Sequence, residues 1–269
     1  MSKSFTAAAV AVAASRGLVD LDADVRRWFG RPRTAAWAGM RVHHLLTHTS
    51  GLRHWPPEDP GIDLTAAMTE AELVEWIAAA PPLFPAGTEW SYSSPGYCLL
   101  ALIVERAADA PYQDVVAEWL LEPAGLGATF LGNAGDRADV AHGYAADGRT
   151  EVALFELDTV GMGAGDVSST VGDLVTWCDA LAEPERLVRD PWRQMIVTPH
   201  VPTRETDTGY GYGWYVGPLA GFAAVYHPGD NNGFRAFCGW SARDRVRVVV
   251  LSNSEAVDPV DEALRLLAL

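Results

Sequence analysis

The last quarter of the chain holds four runs rich in Val, Phe, Tyr and Trp: "GYGWYVG", "GFAAVYH", "FRAFCGWSA" and "VRVVVLSN". Only short segments, "PLA", "PGDNNG" and "RDR", separate them. Runs of that composition joined by tight turns predict an antiparallel meander of about four strands. A closing segment, "PVDEALRLLAL", places Val260, Leu264 and Leu267 on one helical face and should pack on that sheet. Upstream the pattern is helical. "FTAAAVAVAAS" reads as an Ala-rich helix closed by Gly17, and Thr69 with Glu72 reads as a capping box opening another. A further helix should begin near Ser169 or Thr170. The stretch "WPPEDPG" is a Pro-rich loop. Helices followed by an antiparallel sheet define an α+β fold.

The expected organisation is a sheet-containing part formed by residues 1–20 and 205–269 and a mostly helical part, 21–204, with the site in the groove between them. The first and last helices together would cover one face of such a sheet. The other face looks short of material.

Charge narrows the functions available. Asp and Glu number 35 against 20 Lys and Arg, for a net charge of −15, which argues against a nucleic-acid role, because phosphate binding needs clustered Lys and Arg. Cys98, Cys178 and Cys238 are widely spaced in sequence, form no CxxC pair and suggest no disulfide framework, which fits a reducing, cytoplasmic compartment. The apolar start lacks a basic leader and is too short to span a bilayer, and no other membrane span is visible.

Three widely separated positions could carry chemistry: Lys3 at the start of the Ala-rich helix, Tyr92 in "WSYSSPGY", and His227 in "YHPGDNNGF". Each alone is ordinary. Their order and surroundings are not. The chain also contains "VHHLLTHTSGL" (Val42 to Leu52), "FPAGTEWSYSSPGYCLLALIVERAA" (Phe84 to Ala108), "EPAGLGAT", "GAGDVSSTVGDLVTW", "YGYGW" and "HPGDNNGFRAF". Together these resemble the penicillin-binding and β-lactamase-like serine hydrolases, which include class C β-lactamases, D-Ala-D-Ala carboxypeptidases and related esterases and transesterases. That family carries Ser-x-x-Lys at a helix start, Tyr-x-Asn in a loop, and Lys-Thr-Gly or His-x-Gly on a strand.

The resemblance implies acyl transfer through an acyl-enzyme on a small ester, amide or β-lactam, with no metal or organic cofactor. Lys3, Tyr92 and His227 would be catalytic. Gly229 and Asp230 would form the oxyanion side, with the Asp230 N–H as a donor, and Ser94 would contact substrate. Trp90, Tyr210 and Trp214 would line the groove. Two departures stand out. Ser94 occupies the place of the usual Asn, which shortens the side chain and removes the amide's paired donor and acceptor. And the serine of Ser-x-x-Lys falls one residue ahead of Met1. Ser2 and Ser4 adjoin Lys3 but point about 100° away from it on a helix. The expectation is that the reading frame begins upstream, with Met1 internal to Ser-Met-Ser-Lys, and that the segment there also supplies the missing sheet cover. The alternative is a non-catalytic ligand-binding protein on the same scaffold. A metal site at His44 and His48 lacks a third ligand at matching spacing, and the Gly-x-Ser-x-Gly of α/β-hydrolases is absent from the sequence.

Overall fold

The computed structural model describes residues 1–30, 35–55, 63–183 and 186–268. Most of "WPPEDPG" lies outside them. The helices are α1 (Ser2–Ser15), α2 (Arg26–Phe29), α3 (Val42–Leu46), α4 (Glu70–Ala79), α5 (Ser94–Ala108), α6 (Tyr112–Val116), α7 (Glu122–Ala124), α8 (Val171–Ala182), α9 (Trp192–Val197) and α10 (Pro259–Leu267).

Helix α1 is buried from Ser2 to Ala14. An apolar helix without a polar face belongs inside a core, and α1 packs against α5, α6 and α9. Its small alanines let those neighbours approach. It ends in a paired cap: the Leu18 N–H donates to the Ala13 carbonyl (2.9 Å) and the Gly17 N–H to Ala14 (3.0 Å), with Gly17 at φ +72°. Helix α1 forms part of the main core. Phe5 stacks on Trp177 of α8 at 4.0 Å.

The large sheet has six strands in sequential order, each antiparallel to the next: β3 (Val201–Pro202), β4 (Gly209–Tyr210), β5 (Tyr215–Leu219), β6 (Phe222–Asn231), β7 (Phe234–Ser241) and β8 (Val246–Ser252). A separate pair joins β1 (Phe130–Leu131) to β2 (Val167–Ser168). The meander is as expected, but the "GYGWYVG" run is only half strand. Gly211 to Trp214 is a turn, closed by the Gly211 N–H on the Trp214 carbonyl at 2.8 Å.

Helices pack on both faces of the sheet, α10 on one, against β7 and β8, and α8 on the other. Strand alternation sends Ala224, Tyr226, Phe237 and Val248 toward Ala263 of α10, where Val260 and Leu267 also pack. It sends Val225, Cys238, Trp240 and Val249 into the main core. There α8 closes the second face, held by Asp179 to Arg247 of β8 at 2.6 Å. A helix beginning near Ser169 or Thr170 is as expected; its N-cap is Thr170, and its packing on the sheet is what the sequence pattern does not give.

Candidate active site

Lys3 stands on the first turn of α1. Its amine is buried and donates to Ser94 Oγ at 3.0 Å and to the Ala164 carbonyl at 2.9 Å. It also lies 4.8 Å from the centre of the Tyr92 ring. Burial lowers its pKa to about 8, against the opposing pull of Cys98 and Asp166. Neither neighbouring serine reaches this amine. Ser2 Oγ accepts the Val167 N–H (2.9 Å), while Ser4 Oγ donates to the Met1 carbonyl (2.9 Å) and accepts from Trp177 Nε1 (3.1 Å).

Tyr92 precedes α5, whose N-cap Ser93 accepts the Gly96 N–H. The Tyr92 hydroxyl lies 3.4 Å from His227 Nε2, long for a hydrogen bond. Burial pushes the phenol well above its usual pKa, so it remains a proton donor. His227 sits on β6 with Nδ1 against its neighbour Pro228's carbonyl. A carbonyl only accepts, so Nδ1 carries the hydrogen and Nε2 offers its lone pair to Tyr92. Burial above all, with the Lys3 charge acting in the same direction, holds this imidazole well below its usual pKa.

Gly229 and Asp230 continue β6 past the site. A side chain at Gly229 would meet Ala236 Cβ at 3.1 Å and the Met1 nitrogen at 3.5 Å, so the strand and the start of α1 approach closely here. The Asp230 carboxylate turns outward to Arg235, at 2.7 Å. Gly213 makes the second close approach. At φ +76°, a Cβ there would lie 2.6 Å from the Lys3 carbonyl oxygen.

The Trp and Tyr assignments need correction. Tyr210 and Trp214 are completely buried and stand behind the site. Tyr210 bonds His48 Nε2 at 3.2 Å, and Trp214 packs edge-on against Trp240 at 4.7 Å. Trp90 is half-buried beside Tyr210 and does not line the cleft either. The cleft, about 1120 Å³, is walled by His54, Trp55, Phe130, Phe155 and Tyr215 around Lys3, Tyr92 and His227.

His44 and His48 do not form a shared face. Helix α3 ends at Leu46 and His48 adopts φ +58°. His48 is instead a support: Nδ1 accepts the Ser93 N–H at 3.1 Å, and its ring packs on Tyr92 at 4.4 Å. Among the described residues no cluster of His, Cys, Asp and Glu suits a metal ion.

Two site residues escaped the sequence reading. His54 accepts the Ser94 N–H through Nδ1 at 3.2 Å and meets the Tyr92 ring edge-on at 5.5 Å. Asp166 is fully buried. One carboxylate oxygen accepts the Gly163 N–H at 2.9 Å, and the other has no hydrogen-bond partner. It braces the turn whose Ala164 carbonyl holds Lys3. Burial raises its pKa to about 7, against the Gly163 bond and the Lys3 charge. Its only sequence signal was its place inside "GAGDVSSTVGDLVTW".

Comparison with known proteins agrees with this geometry. The sequence model of the family described as Beta-lactamase matches residues 1–269. Penicillin-binding protein 4* of Bacillus subtilis (strain 168) is 27% identical over 98% of this chain and 62% of its own length. A D-aminopeptidase of Cereibacter sphaeroides (strain ATCC 17029 / ATH 2.4.9) is 30% identical over 80% of this chain and 42% of its own. The chain therefore spans less than two thirds of either relative. The solved penicillin-binding protein of Bacillus halodurans superposes with a TM-score of 0.85 at 25% identity, over 99% of this chain and 82% of that one. With a family match end to end and the lysine, tyrosine and histidine gathered at one cleft, the chain belongs to the beta-lactamase family.

Proposed function

We propose that this chain supplies the lysine, tyrosine and histidine of a serine-hydrolase centre that transfers acyl groups through an acyl-enzyme. The attacking hydroxyl belongs to a serine directly before Met1, one helical turn from Lys3 and on the same face. The single observation that carries this reading is the buried Lys3 amine, tuned to about 8 and facing Tyr92 and the cleft.

The neutral Lys3 amine takes the serine proton as the oxygen attacks the carbonyl. The Asp230 N–H and the serine's own N–H receive the developing oxyanion, each donor worth ~3–4 kcal/mol. Lys3 returns the proton through Tyr92 to the leaving group, with His227 Nε2 aligning the phenol. Water or another alcohol then releases the acyl group. His227 in place of a lysine and Ser94 in place of an asparagine favour ester and peptide-like substrates over β-lactams. The esterase EstB of Burkholderia gladioli and the D-aminopeptidase among the relatives support that choice.

The second reading is a ligand-binding protein without turnover. It is favoured by Ser2 and Ser4, whose hydroxyls are engaged away from Lys3. The test is direct. The chain extended by one serine directly before Met1 is incubated with a fluorophosphonate, beside the 269-residue chain. Covalent labelling of the added serine alone supports the enzyme. Absence of labelling in both, with retained binding of an ester or amide, supports the binding protein.

A further inference from the structure

Cys178 on α8 and Cys238 on β7 are separated by 60 positions, yet their sulfurs lie 3.0 Å apart. Both thiols are buried and free. The sequence reading saw three unrelated cysteines; the fold makes two of them neighbours. The contact sits in a braced interface. The adjacent Asp179 holds Arg247 of β8, and β8 pairs with β7 so that Val249 lies opposite Cys238. On its other side Cys238 lies opposite His227 in the β6–β7 register. Cys98 is elsewhere, with its thiol donating to the Val160 carbonyl at 3.3 Å. A disulfide spans about 2.05 Å, so the two sulfurs need to approach by only about 1 Å.

We propose that Cys178 and Cys238 are a modification site, converted by an oxidant of the low-molecular-weight disulfide class into a buried disulfide that ties α8 to the strand pair carrying His227. One cysteine loses its proton and its thiolate attacks the small disulfide, forming a mixed disulfide and releasing one small thiolate. The second cysteine, as thiolate, attacks the protein sulfur of that mixed disulfide and releases the other. Two electrons pass from the cysteines to the small disulfide, and the two protons end on the released thiols. The hydrogen bond with Cys238, then burial, pushes the Cys178 thiol up, which makes thiolate scarce in the folded chain. The exchange therefore proceeds while the chain folds, and native packing selects the pair. In a reducing compartment the same contact persists as two thiols.

The full chain is refolded from denaturant in mixtures of oxidised and reduced glutathione, quenched with acid, unfolded and alkylated, then mapped by mass spectrometry. The expected result is a single alkylated thiol, Cys98, and a linked peptide pair joining Cys178 to Cys238. The oxidised protein should melt roughly 5–15 °C higher than the reduced one, through restriction of its unfolded state. Cys178→Ala and Cys238→Ala should each abolish that difference. Three alkylated thiols at every glutathione ratio, or bridges shared with Cys98, would overturn the proposal. The wild-type map decides the matter even where an alanine variant fails to fold.

Discussion

Lys3 Nζ donates to Ser94 Oγ across 3.0 Å, joining the first turn of α1 to the first residue of α5. A short hydroxyl thereby occupies the amine's near side. The Ala164 carbonyl holds a second of its three donors, which leaves one direction for the cleft.

Lys3→Met should reduce covalent labelling by a fluorophosphonate in the serine-preceded chain by at least about 10³-fold, because it removes the base one helical turn from the hydroxyl. Folding should survive. Holding the amine charged at pH 7 costs about 3 kcal/mol, from its fall to about 8 from 10.5. Removing it relieves that cost but strands two acceptors, each worth about 1–3 kcal/mol. The two effects offset. The pH dependence separates them. The unfolded chain binds more protons between pH 8 and about 10.5, so wild-type stability should rise across that window and the variant's should not. Denaturant melts at pH 7 and pH 10 measure both.

Tyr92→Phe should preserve the fold and slow acyl transfer by about 10²–10⁴-fold, the usual range for loss of a positioned proton donor. The hydroxyl's contact to His227 is long, so its loss should change stability by less than about 1 kcal/mol. Substrates with good leaving groups, such as aryl esters, should suffer less than alkyl esters or amides. Equal losses for both would remove Tyr92 from the proton path.

His227 should remain neutral, with its hydrogen on Nδ1, across pH 6–8. Burial and nearby positive charge both oppose protonation, and the Pro228 carbonyl fixes the tautomer. Nitrogen chemical shifts of labelled histidine report this state. An imidazolium signal at pH 6 would contradict it, and so would a hydrogen on Nε2.

Gly213→Ala should destabilise the protein by more than about 1–3 kcal/mol and weaken labelling as well. Its Cβ would fall 2.6 Å from the Lys3 carbonyl, at a φ of +76° that side chains resist. The backbone of α1 would have to move, and Lys3 with it. A melt and a labelling rate on one sample would show whether the two losses travel together.

What could be read from the sequence follows from which signals are local. The meander announced itself through β-rich runs and short turns, and α4 through a cap whose Thr69 N–H meets Glu72 Oε2 at 2.8 Å. The Lys3, Tyr92 and His227 positions came from motif order, not from periodicity. Residue type misled where orientation decides. Tyr210 and Trp214 are aromatic and near the site, but their rings turn into the core, away from the cleft. Asp166 and His54 were invisible because their roles depend on burial and on a turn folded against α1. The cover supplied by α8 was missed for a related reason. A helix pattern gives its face but not its partner.

Asp166 offers the sharpest electrostatic test, because its buried carboxyl and the Lys3 amine act on each other. Its pKa rises from 3.8 to about 7 through burial. The folded chain therefore holds the proton more tightly than the unfolded one, and stability falls as pH climbs from about 4 to 7. Asp166→Asn keeps an oxygen for the Gly163 N–H but cannot ionise. It should gain stability over wild type across that window, by up to about 4 kcal/mol above pH 7. The charge lost is also one that raises the Lys3 pKa. The alkaline-going rise in labelling rate should therefore move to lower pH in the variant. Asp166→Ala should break the turn instead, costing about 1–3 kcal/mol for the stranded Gly163 N–H. A pH profile unmoved by Asp166→Asn, in a variant that folds, would show that this carboxyl only braces the turn and does not set the charge of Lys3.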